Sequence, residues 1–504
     1  MSTRKFNLLL AALLIWGSNV FATNYYASPS GTGAGTSYST PCSLSTALSK
    51  IASGDSLFLL DGQYNLSSKM SISKSGTAAK RTFIGAYHDE KPIFDFRSLA
   101  HGQNGVTLGG TYIHLKGITI RYAGYKGLIN SGSYNLMEML DVYGNCDSGI
   151  QQKGGNNNTI LNCDSHDNFD YETGSISDCD FGGNADGFAD KQYTNSPGNT
   201  YIGCRSWNNS DDGWDFYQRV GGTTIIRNCV CYNNGPKYYD LSNYPRLTTD
   251  ASWFKDFKKD TTVIADGTKY TCSISHYYNH GNGNGFKLGG GSTLHDVTLY
   301  NCLSVANRVK GFDQNSDAGA IQIYNGTSYL NGSNYGFYNN NGYSLVIKNC
   351  ISLDSKGSNQ FTGSKITSTN NTWISGYSCS DADFVTLDTA MVRVERNADG
   401  SLPITTLLRL KKGSFLIDKG VVIAGEIYNG AAPDLGCFET DYTNGISSST
   451  VQKLDPSRAI NIYSMSGILV SESTVDRFNA TTLPHGIYIV CTADTCQLIS
   501  KVIR

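Results

Sequence analysis

The sequence predicts an all-β fold, a right-handed parallel β-helix with a small C-terminal β-sandwich-like domain. Two recurring columns and one absence predict it. The first column is Gly followed by a bulky apolar residue: Gly149-Ile150, Gly187-Phe188, Gly213-Trp214, Gly285-Phe286, Gly311-Phe312 and Gly336-Phe337. The second is Asn162-Cys163, Gly203-Cys204, Asn228-Cys229, Asn301-Cys302, Asn325-Gly326 and Asn349-Cys350, whose uninterrupted steps are 25, 24 and 24 residues. The absence is of any amphipathic stretch at helical spacing within the repeat. Short apolar runs such as Ile225-Ile226 and Leu345-Val346-Ile347 supply a third strand per repeat. Three short strands in about 24 residues describe one coil of a solenoid.

Composition agrees. The 504 residues include 55 Gly and 32 Tyr against 10 Pro and 6 Met, which suits short strands joined by tight turns. Charged residues are only 16% and the formal net charge is −2, so nothing points to nucleic acid or a membrane surface.

Taken along the chain, Arg4 and Lys5 precede the apolar run Leu8 to Trp16, and Val20-Phe21-Ala22 fits a cleavage site. Residues 1–22 therefore read as a secretory signal peptide, too short to span a bilayer comfortably. No later segment has 18 consecutive apolar residues, so no membrane span is expected. Residues 23–440 form the β-helix, opened by a strand near Tyr25 and a helix near Leu44–Ile51 that caps the first coil. The solenoid is expected to end near Ala432-Pro433-Asp434-Leu435-Gly436. Residues 441–456 read as a linker, and 457–504 as strand-turn-strand with turns at Ser466-Gly467 and His485-Gly486.

Of the fourteen cysteines, Cys163, Cys204, Cys229, Cys302 and Cys350 share one repeat position, which predicts reduced, stacked, buried thiols. Cys491 and Cys496 face each other across a predicted hairpin, and the sequence leaves their pairing open. In register, the Asn column builds an amide ladder at the β spacing of about 4.8 Å.

The repeat is interrupted twice, by about 15 residues before Gly187 and about 47 before Gly285, at the same turn of the coil. Insertions collected on one side of a solenoid commonly build its binding face. The longer one, Gly235 to Gly281, carries Tyr238, Tyr239, Tyr244, Trp253, Tyr277 and Tyr278, rings suited either to stacking on sugars or to packing the loop down.

The chemistry sits beside the Gly column. The residue before Gly is Asp186 in one coil and Asp212 in the next. Two after Gly come Ala189, Asp215, Lys287 and Asp313 in successive coils. Register therefore makes Asp186 a neighbour of Asp212, and Asp215 a neighbour of Lys287. Four carboxylates (Asp186, Asp211, Asp212, Asp215) in two coils repel unless a cation sits among them. Calcium suits an all-oxygen set, and no His or thiolate set for zinc is present. Isolated Asp-Gly pairs are ordinary turns, and an isolated Lys287 would be an ordinary strand residue; their stacking favours a metal site. A lysine, with a free pKa of about 10.4, becomes a usable base when burial and a nearby cation lower that value. Calcium and a neutral amine beside a sugar carboxylate suit β-elimination on a uronic acid.

At these residues the chain resembles the pectate lyases of polysaccharide lyase family 9. The resemblance covers roughly 23–440 and rests on Asn184-Ala185-Asp186-Gly187-Phe188-Ala189-Asp190-Lys191, Asp211-Asp212-Gly213-Trp214-Asp215 and Gly285-Phe286-Lys287-Leu288-Gly289. It implies a calcium cofactor held by Asp186, Asp211, Asp212 and Asp215, with Lys287 as Brønsted base. It also implies an acidic plant polysaccharide as substrate, either polygalacturonate or the rhamnogalacturonan I backbone. Lys191, Arg219 and Lys310 are candidates for further substrate carboxylates, and a monomer is expected. The tail from Ile460 to Arg504 is similar to C-terminal sorting domains of Bacteroidetes exported proteins, which implies a secreted, periplasmic or outer-surface location. Two other readings stand beside this one. One is a polygalacturonase-type hydrolase using Asp211 or Asp212, whose Gly-His-Gly and Arg-x-Lys motifs are missing in matching positions. The other is a non-catalytic glycan-binding β-helix.

Overall fold

The computed structural model describes residues 22–440 apart from 172, 174–179, 243, 245, 247–260, 266–267 and 339–341. Of 261–272 and of 459–501 it describes only strand backbone. The signal peptide, the 441–456 linker, Trp253 and the side chains of the C-terminal segment lie outside the described residues.

Three parallel sheets span the chain from Asn24 to Thr369. The first has twelve strands, from Asn24–Ala27 to Ile366–Thr369; the second has ten, from Met70–Ile72 to Gln360–Phe361; the third has ten, from Gly62–Asn65 to Ile351–Leu353. Each coil visits the first, third and second sheet in turn. The helix Leu44–Lys50 closes the N-terminal end: the Ser43 side chain accepts from the Thr46 amide, and Leu44 and Ala47 are buried.

The Gly-apolar column is the spine of the second sheet. Ile150, Phe188, Trp214, Phe286 and Phe312 are successive register partners. Phe188, Trp214, Phe286 and Phe312 stack at centroid separations of 4.7, 4.7 and 5.1 Å, close to the strand spacing itself. Gly187 is required because a Cβ there would strike Ser206 Oγ of the next coil. The expected sixth member, Gly336-Phe337, is displaced: Phe312 pairs with Tyr335, and Phe337 with Phe361. Tyr335 and Phe337 are two positions apart, so either satisfies the inward alternation, and pairing with the previous coil decides between them.

Asn162, Asn228, Asn301, Asn325 and Asn349 have φ of 53°, 53°, 52°, 54° and 59°, and Gly203 has 61°. The column is Asn or Gly because this corner is left-handed, a conformation those residues adopt at low cost. Asn301, Asn325 and Asn349 each donate to the preceding Asn at 3.2, 2.9 and 2.9 Å. The five cysteines that follow are free and buried, as expected from their position. A second ladder, which the Gly and Cys columns did not reveal, is fully buried: Asn145, Asn168, Asn209, Asn234, Asn307 and Asn331 hand an amide on at 2.8–3.0 Å. It holds the corner between the third and second sheets, just ahead of Asp211 and Asp212.

Among the described residues, no coil intervenes in the second sheet across the 47-residue insertion. Trp214–Asp215 pairs directly with Phe286–Lys287. The insertion instead forms antiparallel pairs, Tyr238–Tyr239 with Tyr277–Tyr278 and Thr261–Ala265 with Thr268–Cys272. Its described tyrosines pack the loop down: Tyr277 and Tyr278 are buried with Phe169, Tyr171, Phe181 and Leu241, and Tyr238, Tyr239 and Tyr244 pack against them.

The coils end at Thr369, earlier than the expected Ala432–Gly436. Residues 370–440 fold back across the outer face of the third sheet, where Leu407, Leu410, Leu416 and Leu435 cover Val230, Leu303 and Ile351. Those outward apolar side chains would otherwise form a wet apolar strip. Arg205 and Arg396 clamp Asp164 at 2.7 and 2.5 Å beneath this cover. The C-terminal segment is a four-stranded antiparallel sheet in which Cys491 lies opposite Cys496. Among the described residues no helix is long and apolar enough to cross a membrane.

On the third sheet His166 lies between the rings of Tyr143 and Trp207, 5.0 and 4.0 Å away. Its two nitrogens meet Asp141 at 3.0 Å and Asp167 at 2.6 Å. Burial lowers its pKa, but the two carboxylates outweigh burial and lift it from 6.5 to about 9. A raised folded pKa makes this stabilisation complete below about pH 6.5 and lost as pH rises through about 9. With the carboxylates half exposed, the loss is on the order of 2 kcal/mol. Calorimetric melting at pH 6.5 and 9.5 checks this: the wild type should lose more stability than His166→Gln, and equal losses would refute it.

Candidate active site

Strand alternation sends Phe188, Trp214 and Phe286 inward and leaves Ala189, Asp215 and Lys287 on the outer face of the second sheet. Cα pairing places Ala189, Asp215, Lys287 and Asp313 side by side. The preceding column is held by Gly149 N to Asp186 O, Gly187 N to Asp212 O and Gly213 N to Asn284 O, at 2.9, 3.0 and 2.8 Å. Asp186, Asp212 and Asn284 therefore follow one another along the stack.

The structure brings Asp186, Asp212 and Asp215 together. One carboxylate oxygen from each lies within 4.8 Å of the others, and all three residues are buried. Asp211 borders this trio without joining it, its Oδ1 accepting from the Asn282 amide. Lys287 Nζ lies 2.9 Å from Asp212 Oδ2 and 3.3 Å from Asp215 Oδ1. Lys191 Nζ lies 3.1 Å from Asp186 Oδ2 and 2.6 Å from Asp215 Oδ2. Two ammonium groups thus interleave with three carboxylates. Lys191, a candidate substrate contact, is turned into this cluster and paired with two of its carboxylates.

The other two candidate substrate contacts separate. Arg219 is fully buried, 3.3 Å from Asp190 and donating to the carbonyls of Val220 and Pro197 at 2.9 and 2.8 Å. It supports a turn and does not reach a substrate. Its neighbour Asp190 faces the core, where an unpaired carboxylate would be costly, and this supplies the reason. Lys310 stays at the surface, 3.2 Å from Asp313 Oδ1 and 4.4 Å from the ring centre of Tyr338.

Burial dominates the electrostatics. It raises Asp186, which Lys191 pulls back while Asp215 and Asp212 push further, leaving it at about 7. Burial and repulsion from Asp212 and Asp186 hold Asp211 well above the carboxylate range. Asp215 is the exception: burial raises it, but Lys191 and Lys287 together take it below its ordinary value. For Lys287 burial favours the neutral amine, yet Asp212, Asp215, Asp211 and Asp186 overcome this and hold it well above the usual lysine value. In this state Lys287 is an ammonium.

The trio offers oxygen donors only, which fits calcium and not zinc. Asp212 Oδ2 supports the fit: it is buried and lacks an aligned hydrogen bond, although Lys287 Nζ is near. Asn284 Oδ1 is a second buried oxygen without a partner. Asn284 occupies the notch of Asp186 and Asp212, and that position before Gly285 was its signal in the sequence. Tyr217 was also missed. Its ring lies 5.6 Å from Lys287 Nζ and is 42% exposed, and a Cβ on Gly290 would strike it. Only pairing between coils reveals that contact.

Fold and site together define an enzyme on a parallel β-helix, with carboxylates and amines interleaved on one sheet. The model of the Pel9A-like, right-handed β-helix region matches residues 25–256 and 253–359. Pectate lyase L of Dickeya dadantii (strain 3937) is 33% identical over 434 residues, 82% of this chain and 90% of that protein. Pectate lyase L of Paenibacillus polymyxa (strain SC2) is 32% identical over 75% of this chain and 79% of its own length. The crystal structure of pectate lyase Pel9A superposes with a TM-score of 0.68 at 31% identity, covering 84% of this chain and 98% of that one. The chain belongs to the Pel9A-like right-handed β-helix family. It is a carbon–oxygen lyase acting on polysaccharide.

Proposed function

We propose that this lyase cleaves a galacturonate-containing pectic polysaccharide by β-elimination, with calcium at Asp186, Asp212 and Asp215 and Lys287 as the base. The observation that carries the reading is Lys287 Nζ in contact with two of the three clustered carboxylates. The similarity to pectate lyases supports the substrate class. Calcium, when bound, draws charge from the sugar carboxylate and acidifies the proton on C5. Lys287 takes that proton, and the electron pair left on C5 forms the C4–C5 double bond as the C4 glycosidic oxygen departs. With the charge of the aspartates taken up by a bound cation, burial and that neighbouring positive charge would both favour the neutral form of Lys287. Asp211 borders the trio, adds negative charge and, through Asn282, holds the corner. The apolar leader and the C-terminal strands support export to the periplasm or outer surface.

The test is incubation of the enzyme with polygalacturonate and with rhamnogalacturonan I, in calcium or in chelator. Ultraviolet absorbance from an unsaturated product should rise on at least one polymer and vanish with chelator. Reducing ends without absorbance would indicate hydrolysis, and no cleavage of either polymer would indicate glycan binding alone.

A further inference from the structure

Lys191 has no part in that mechanism, yet like Lys287 it contacts two of the three carboxylates. Lys287 takes Asp212 Oδ2 and Asp215 Oδ1. Lys191 takes what remains, bridging Asp186 Oδ2 and Asp215 Oδ2 at 3.1 and 2.6 Å. A calcium ion binds carboxylate oxygens at about 2.3–2.6 Å, so it needs the oxygens that this ammonium already contacts. The two cations cannot share that bridge.

We infer that Lys191 is a tethered counter-ion: it neutralises the metal site while the site lacks calcium and is expelled when calcium binds. This rests on the calcium reading of the trio. The backbone around it is fixed. Its amide donates to Gln152 O at 3.1 Å, Gln192 Nε2 donates to Gly155 O at 2.6 Å, and Asn199 Nδ2 donates to Asp190 Oδ2 at 2.9 Å. The side chain is a flexible four-carbon stem that reaches from its own coil to Asp215 on the next. Its side chain is 17% exposed while both partners are almost fully enclosed, so its way out leads to the sheet face.

Two consequences follow from charge. Without Lys191, buried carboxylates face one another with a single ammonium between them, so the metal-free protein is less stable. With Lys191, calcium must displace a cation and then bind beside it, which weakens calcium affinity. The lysine thus exchanges metal affinity for integrity of the metal-free fold. Once expelled, it stands on the face where a substrate carboxylate lies.

Calorimetric titration of the chelator-stripped full chain tests this. Lys191→Met should bind calcium roughly tenfold or more tightly than wild type, from removal of a unit charge a few ångströms away, and should melt lower in chelator. Lys191→Arg, which keeps the charge, should stay near wild type. Equal or weaker binding by a folded Lys191→Met overturns the inference. A second measurement needs no variant: acetylation of wild type by acetic anhydride, read by peptide mass spectrometry. Lys191 should be protected in chelator and labelled in calcium, and labelling indifferent to calcium overturns the inference even if Lys191→Met does not fold. Wild type that binds no calcium removes the calcium reading together with this one. Wild-type binding with an unaltered Lys191→Met affinity removes this one alone.

Discussion

Lys287→Ala is expected to lower the rate of elimination by roughly 10²- to 10⁴-fold, the range of a lost general base, with the fold intact. The backbone of this strand is held by bonds that do not involve the side chain: Phe216 N to Lys287 O at 3.1 Å and Leu288 N to Asp313 O at 2.8 Å. Calcium should still bind, because the change removes a positive charge beside Asp212 and Asp215. The expected signature is therefore a folded, calcium-binding protein without ultraviolet product. Lys287→Arg should be equally inactive, since guanidinium keeps its proton at any working pH. A folded Lys287→Ala variant that retains activity would exclude Lys287 as the base.

Trp214→Ala should cost about 3–5 kcal/mol, the range for an emptied aromatic core site. Trp214 is fully buried and stacks between Phe188 and Phe286, both at 4.7 Å, so its loss opens a gap that the fixed strand spacing prevents from closing. Trp214→Phe should cost much less. A phenyl ring preserves the stack, and the indole N–H it removes is buried without a partner. Denaturant unfolding of the three proteins checks this. Equal losses for Ala and Phe would mean that volume in the stack is not what matters. Because Asp215 follows Trp214 directly, the Ala variant should also weaken calcium binding, and calorimetry can measure that separately.

Much of the site was legible because a coil of about 24 residues with two-residue alternation repeats itself. Aligning Gly213 with Gly285 makes Asp215 and Lys287 neighbours as long as the insertion between them adds no coil, and the direct pairing of Trp214–Asp215 with Phe286–Lys287 meets that condition. The same alignment placed Asp186 beside Asp212. It failed at Gly336, where two inward residues compete and pairing with Phe312 decides. The sequence also set the end of the solenoid too late: the last coil strand ends at Thr369, and the segment containing Leu435 folds over the third sheet.

What the sequence by itself determined is what repetition encodes: the β-helix, the stacked thiols, the Asn ladder and the column that carries Asp215 and Lys287. The tertiary structure alone decided where the charged side chains go. Lys191 reaches across a coil into the trio, Arg219 turns under the surface to Asp190, and Asp211 is drawn off by the Asn282 amide. The physical reason is one of scale. Register follows from backbone pairing every 4.8 Å or so, whereas a lysine or arginine stem spans more than one such step. Its partner is therefore chosen by charges on other coils, which no local spacing records.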